Sequence, residues 1–169
     1  MAKLKYLLAI ATIKNYILEL EFNNERLNSV SYIDIKEAAE FERNPAISKQ
    51  QQDIVSQFKQ YFENPAIDWN IDFDWLKISD FQIKVLDYLQ TIALGETKTY
   101  GEIAKDLNTS ARAVGNACRR NPFPVVIPCH RVVAKNSLGG YDGDKIQVNG
   151  EINGRLQIKY FLLQHEKVL

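Results

Sequence analysis

The chain has 169 residues, 46% hydrophobic and 25% charged, with 21 basic side chains matched by 21 acidic ones. That composition excludes a disordered chain, and the length suits one large domain or two small ones. The longest apolar run, Tyr6 to Ile13, falls well short of the ~20 residues a membrane-spanning helix requires. No span is expected. With no secretory h-region or cleavage site in sight, the expected compartment is the cytoplasm.

The first third alternates as strands do. Residues 4–13 (LKYLLAIATI) and 15–23 (NYILELEFN) form a predicted hairpin turning at Lys14 and Asn15, with Asn23 and Asn24 turning into a third strand at residues 28–35. Ser48 is placed to cap a helix running to Glu63, because Ile54, Val55, Phe58, Tyr61 and Phe62 recur at helical spacing. Asn64-Pro65 ends it. Residues 66–79 show no helical period and read as an extended connector whose two tryptophans pack between lobes, with a boundary at Ser79.

From Asp80 the pattern is helical. Phe81, Val85, Leu86, Leu89 and Ile92 mark a buried stripe closed by Gly95. A second helix carries Ile103, Ala104 and Leu107 on one face and stops at Asn108; Thr109 or Ser110 then caps a third, ending at Asn121-Pro122. Two short helices across a tight turn predict a helix-turn-helix. On the third helix Val114, Ala117 and Cys118 share a core face, while Arg112, Asn116, Arg119 and Arg120 share a polar one. Ala113, Gly115 and Ala117 keep this helix thin enough for another backbone to approach. A helix of this kind suits a nucleic-acid groove; the alternative is a solvated basic face on a core helix. Zero net charge seems to argue against such a partner, but it is a cancellation. Residues 1–80 carry 9 basic and 13 acidic side chains, residues 81–169 carry 12 and 8, and residues 98–135 carry 7 and 2. The excess of positive charge is gathered where the helix-turn-helix lies.

Two cysteines and two histidines occur, and Cys129 and His130 are neighbours in the run Pro128-Cys129-His130-Arg131. In a reducing compartment both cysteines are expected as free thiols, and Cys118 and Cys129-His130 lack the second ligand pair of a structural zinc site. A thiol flanked by a histidine and cations has the surroundings of a nucleophilic thiolate. A buried inert cysteine is the alternative, and it is the reading for Cys118 on its apolar helix face. His165 reads as an exposed helix-end residue, and Arg131 as either a DNA contact or a structural ion-pair partner.

The motifs PCHRV, TYGEIA, RAVG, the upstream NP and the downstream GGY and LLQHE occur in order between Phe81 and Glu166. Together they resemble the O6-alkylguanine-DNA alkyltransferase family, also called methylated-DNA–protein-cysteine methyltransferases. The resemblance implies an α+β chain with a small ribonuclease-H-like lobe, antiparallel sheet plus helix, over 1–79. A helical lobe over 80–169 would carry DNA binding and alkyl transfer. It further implies a single-turnover repair reaction with base flipping, in which an alkyl group passes from O6 of guanine in double-stranded DNA to the protein's own cysteine, with O4-alkylthymine as a further candidate lesion. By motif, Cys129 is the acceptor, His130 a base acting through a water, Glu166 its orienting carboxylate, and Asn121 the link from the helix-turn-helix to the active-site segment. Arg112 would fill the space left by the extruded base, and Tyr100 would help rotate the nucleotide and contact the guanine. Asn116, Arg119, Arg120 and Arg131 would touch DNA, and Pro128, Leu138 and Tyr141 would line the alkyl pocket with Tyr100. No metal, no organic cofactor and no membrane enters this scheme, and a monomer suffices.

Three departures stand out. Ala93 and Leu94 replace a proline-containing helix end, Gly143-Asp144 replaces a frequent Gly-Gly, and the span from Tyr141 to Glu166 is longer than the family's usual one, reading as an added hairpin with turns at Asn149-Gly150 and Asn153-Gly154. Two rivals remain: a non-catalytic DNA-binding protein, against which Cys129 argues, and a cysteine hydrolase, which leaves the helix-turn-helix unexplained.

Overall fold

The computed structural model describes residues 3–9, 15–39, 44–75, 78–141 and 154–169. The expected turn residue Lys14, Gly143-Asp144 and the added hairpin's turn at Asn149-Gly150 lie outside these. The fold is α+β and divides into two units, Met1–Leu76 and Lys77–Leu169.

In the first unit, β1 (Leu4–Ala9), β2 (Tyr16–Asn23) and β3 (Arg26–Asp34) form an antiparallel sheet in that order. The second turn falls on Asn24 and Glu25, one residue later than expected, because Asn23 still pairs with Arg26 and Asn24 takes the left-handed conformation at φ 53° that asparagine tolerates. Strand alternation puts Leu18, Leu20 and Phe22 on one face, all fully buried. After a single turn, α1 (Ile35–Ala38), comes α2 (Lys49–Glu63). It starts at a capping box: the Ser48 hydroxyl accepts from the Gln51 amide while the Gln51 side chain accepts from the Ser48 amide. Ile54, Val55, Phe58 and Tyr61 are buried as the spacing predicts, and Phe62 is half-buried.

Much of the segment after α2, expected as an extended connector, packs back on α2 and β3 of the first unit. Trp69 packs on Phe58 and Tyr61, with ring centroids 5.1 and 5.5 Å away, and Trp75 lies 5.2 Å from Phe73. The Leu27 amide donates to the Asp72 carbonyl at 3.0 Å and the Asp74 amide to the Leu27 carbonyl at 2.9 Å, so residues 72–74 extend the sheet at β3. Aromatic area that is buried on α2 and backbone groups that find partners on β3 both hold this stretch within the first unit.

The second unit is mainly helical: α3 (Asp80–Gln90), α4 (Tyr100–Asp106), α5 (Ala111–Arg119) and α6 (Leu156–His165). Ser79, Thr99 and Ser110 cap the first three through side-chain oxygens, and Glu102 completes a capping box with Thr99. Asn108, at φ 52°, turns α4 into α5, the predicted helix-turn-helix. Val85, Leu86 and Leu89 are fully buried and Ile92 nearly so, but Phe81 is 41% exposed: it stands in the first turn, ahead of the buried stripe. Two short strands, β4 (Lys98–Thr99) and β5 (Val132–Val133), pair in parallel and bring the start of α4 beside the residues that follow Cys129.

Candidate active site

The path from α5 to Cys129 is wound tightly. The Asn121 side chain donates to the Ile127 carbonyl at 2.8 Å and accepts from the Phe123 amide at 3.0 Å, and the Ile127 amide donates to the Phe123 carbonyl at 2.9 Å. Within this loop Val125 is held at φ 77°, a left-handed conformation that is unfavourable for a β-branched residue. Pro128 (φ −81°, ψ 63°) then forms an inverse γ-turn, closed by the Cys129 amide donating to the Ile127 carbonyl at 2.8 Å. The Ile127 carbonyl thus serves both Asn121 and Cys129. Cys129, His130 and Arg131 form one 3-10 turn, in which Cys129 is 6% exposed and His130 is fully buried.

His130 Nε2 lies 2.9 Å from Glu166 Oε1. The Arg131 guanidinium donates from Nε to Glu166 Oε2 at 2.7 Å, from a terminal nitrogen to Oε1 at 2.9 Å, and from the other to the Ile92 carbonyl at 2.6 Å. Two guanidinium bonds hold Glu166 ionised, and an ionised carboxylate only accepts. Nε2 therefore carries the imidazole proton, and Nδ1 keeps its lone pair. Nδ1 is buried and meets no hydrogen-bond partner among the described residues. Burial pushes the His130 pKa below its ordinary 6.5, against the upward pull of Glu166, so the ring is neutral at pH 7. Arg131 was expected among the DNA contacts; the structure contains the alternative, a guanidinium committed to Glu166 and Ile92 with its side chain 13% exposed.

Tyr100 opens α4 and stands over α5 at Gly115, where an added Cβ would lie 3.9 Å from the ring. What approaches this thin stretch of α5 is an aromatic side chain, not a second backbone. The Tyr100 hydroxyl donates to the Gly140 carbonyl at 3.4 Å, and burial pushes its pKa up, which keeps the phenol protonated. Leu138 is half-buried, and Pro128 and Tyr141 are buried. Arg112, Asn116, Arg119 and Arg120 all project from α5 into solvent. Cys118 is half-buried with its thiol pKa pushed up by desolvation, in keeping with an inert thiol. His165 is half-buried and stacked on Phe161 at 5.8 Å.

Sequence reasoning missed Lys159. It is fully buried on α6, and its ammonium donates to the carbonyls of Val132 at 2.5 Å, Leu138 at 2.6 Å and Gly140 at 3.2 Å. A lysine in line with Leu156, Leu162 and Leu163 on the apolar face of a helix was the available signal. Among the described residues no group of histidine, cysteine and carboxylate side chains has the arrangement of a metal site.

Fold and site define a helix-turn-helix protein with a buried cysteine and histidine in one turn and a buried carboxylate brought to the histidine from the end of α6. Residues 80–168 match the family model for the DNA-binding domain of 6-O-methylguanine DNA methyltransferase. A methylated-DNA–protein-cysteine methyltransferase of Archaeoglobus fulgidus is 40% identical over 111 residues, 66% of this chain and 75% of that protein. The namesake from Methanocaldococcus jannaschii is 65% identical over 66 residues, 39% of this chain; the match spans 40% of that relative's length. A crystal structure of Mycobacterium tuberculosis OGT in complex with DNA superposes with a TM-score of 0.68 at 30% identity, covering 89% of this chain and 86% of that one. The chain belongs to the O6-methylguanine DNA methyltransferase family.

Proposed function

We propose that this protein repairs DNA by taking an alkyl group from O6 of guanine onto Cys129, once per molecule, with residues 80–169 as the DNA-binding and alkyl-transfer lobe. The observation that carries this reading is the Cys129-His130 turn, backed by Glu166 and Arg131 and tied through Asn121 to a helix with three exposed arginines. Neutral His130, with a free lone pair on Nδ1, is suited to take the thiol proton through a water. The sulfur then attacks the alkyl carbon, the carbon–O6 bond breaks, and its electron pair leaves with guanine. A protonated Tyr100 hydroxyl is suited to donate a hydrogen bond to the departing base.

A stacked guanine does not present its O6-alkyl carbon in line with a buried sulfur, so the nucleotide has to flip out, at a cost of a few kcal/mol. Arg112 would offset part of that cost by filling the vacated stack, and Asn116, Arg119 and Arg120 would hold the DNA backbone. Pro128, Leu138, Tyr100 and Tyr141 would line the alkyl pocket. Double-stranded DNA carrying O6-alkylguanine is the proposed substrate, with O4-alkylthymine the second lesion to try. The protein is proposed to act as a cytoplasmic monomer, without a cofactor.

Incubation with a duplex bearing one O6-methylguanine should add a single methyl group to the Cys129 peptide, read by mass spectrometry. Cys129→Ala should still bind the duplex and accept nothing. Binding without an adduct on the unaltered protein would leave a damage sensor in place of a repair protein.

A further inference from the structure

Lys159 is a buried cation for which the proposed reaction has no use. All three of its ammonium hydrogens go to neutral carbonyls, and no carboxylate pairs with it among the described residues, Glu166 being taken by His130 and Arg131. Burying a lone ammonium is costly unless the surroundings repay it. The three carbonyls belong to the segment running on from the acceptor: Val132 closes the 3-10 turn of Cys129, while Leu138 and Gly140 border Gly139.

Gly139 is pressed from the other side. Its φ is 74°, and an added Cβ would lie 3.0 Å from the Tyr100 ring and 3.2 Å from the Ala134 amide nitrogen. The Gly140 carbonyl accepts from both Lys159 and the Tyr100 hydroxyl, and the ammonium sits 5.9 Å from the centroid of the Tyr100 ring. The 138–140 backbone is therefore clamped between an aromatic ring on α4 and an ammonium on α6.

We propose that Lys159 is a positioning residue: it gathers the carbonyls of Val132, Leu138 and Gly140 onto one point, fixing the wall beside Tyr100, and brings its positive charge to the end of the turn that carries the acceptor sulfur. The first half rests on the alkyl-transfer reading; the second does not. The titratable groups that feel this charge are Cys129, Cys118 and His130. Cys118 and the neighbouring Tyr100 are held protonated by burial and His130 is neutral, while the ammonium bonds the Val132 carbonyl at the end of the Cys129 turn, so the acceptor thiol is the group whose ionisation this charge would favour. Burial lowers the Lys159 pKa to about 8, against an upward pull from the neighbouring thiol groups.

Two variants separate wall from charge. Lys159→Met removes both, while Gly139→Ala disturbs the wall and leaves the ammonium in place. In single-turnover transfer from methylated duplex, both should slow the rate at saturating DNA by roughly ten- to a hundredfold, the scale of a misplaced reacting group, with the DNA dissociation constant unchanged. In the absence of DNA, iodoacetamide labelling of the Cys129 peptide across pH reads the thiol alone. Lys159→Met should move that profile to higher pH by about one unit, a tenfold change in thiolate at fixed pH, and Gly139→Ala should leave it in place. Wild-type transfer rates in both variants would overturn the wall, and an unmoved labelling profile in Lys159→Met would overturn the charge. Absence of transfer in the unaltered protein would instead sink the alkyl-transfer reading, while the labelling profile would still test the charge.

Discussion

Glu166 stands at the C-terminal end of α6, where the helix dipole opposes a negative charge, yet its carboxylate is wholly buried. The two Arg131 bonds offset that penalty, and the same carboxylate sets the tautomer of His130. An imidazole buried as the neutral form has a linked pH signature. The unfolded chain titrates at the ordinary 6.5 and the folded one below it, so below 6.5 the unfolded state binds protons first. Stability is whole above 6.5 and falls as pH drops through the folded value. Denaturant unfolding at stepped pH should show that loss in the wild type and a flatter slope in His130→Gln, and the transfer rate of the wild type should fall over the same interval. Cys129 and His130 were legible because two reactive residue types stood together in one motif. Lys159 was not, because a lysine on an apolar face reads as a snorkelling stem, and its carbonyl partners converge only in the tertiary structure.

Among the elements, helices were read well where a cap announced them, as at Ser48 and Ser110. Phe81 was misjudged because periodicity alone does not say at which turn a helix meets its core, and Trp69 because a segment without a period gives no hint of what it packs on. The 121–128 loop was the least legible, since nothing local marks Val125 for a left-handed backbone. Hydrogen bonds within the loop impose it: Asn121 and the Phe123–Ile127 bond close the chain around Val125. Glycine ordinarily costs about 0.5–1 kcal/mol more than alanine. At Val125 that order should shrink or reverse, because an L-residue pays roughly 1–2 kcal/mol in the left-handed region. Urea unfolding of Val125→Gly and Val125→Ala should show the glycine variant at least as stable; a clear alanine advantage would contradict a strained backbone.

For the whole molecule, the formal charge of zero conceals an acidic first half and a basic second half. Only part of the positive charge is free to meet a polyanion. Lys98 pairs with Asp106 at 3.2 Å and Arg131 with Glu166, whereas Arg112, Arg119 and Arg120 stand exposed on α5. If each arginine neutralises a phosphate, DNA binding should weaken with salt, and Arg119→Ala or Arg120→Ala should each reduce the log–log slope by about 0.9. A slope that neither change alters would place the DNA elsewhere.

The three-stranded sheet of the first unit has two outer strands, and an unpaired strand edge is a template on which further chains can stack. At β1 the Asn44 side chain imitates a neighbouring strand: its Oδ1 accepts from the Leu7 amide at 2.6 Å and its Nδ2 donates to the Leu7 carbonyl at 2.8 Å. At β3 the backbone of residues 72–74 does the same for Leu27. The sheet is thereby stoppered at both margins by the chain itself, which guards against edge-to-edge aggregation at Leu7 and Leu27.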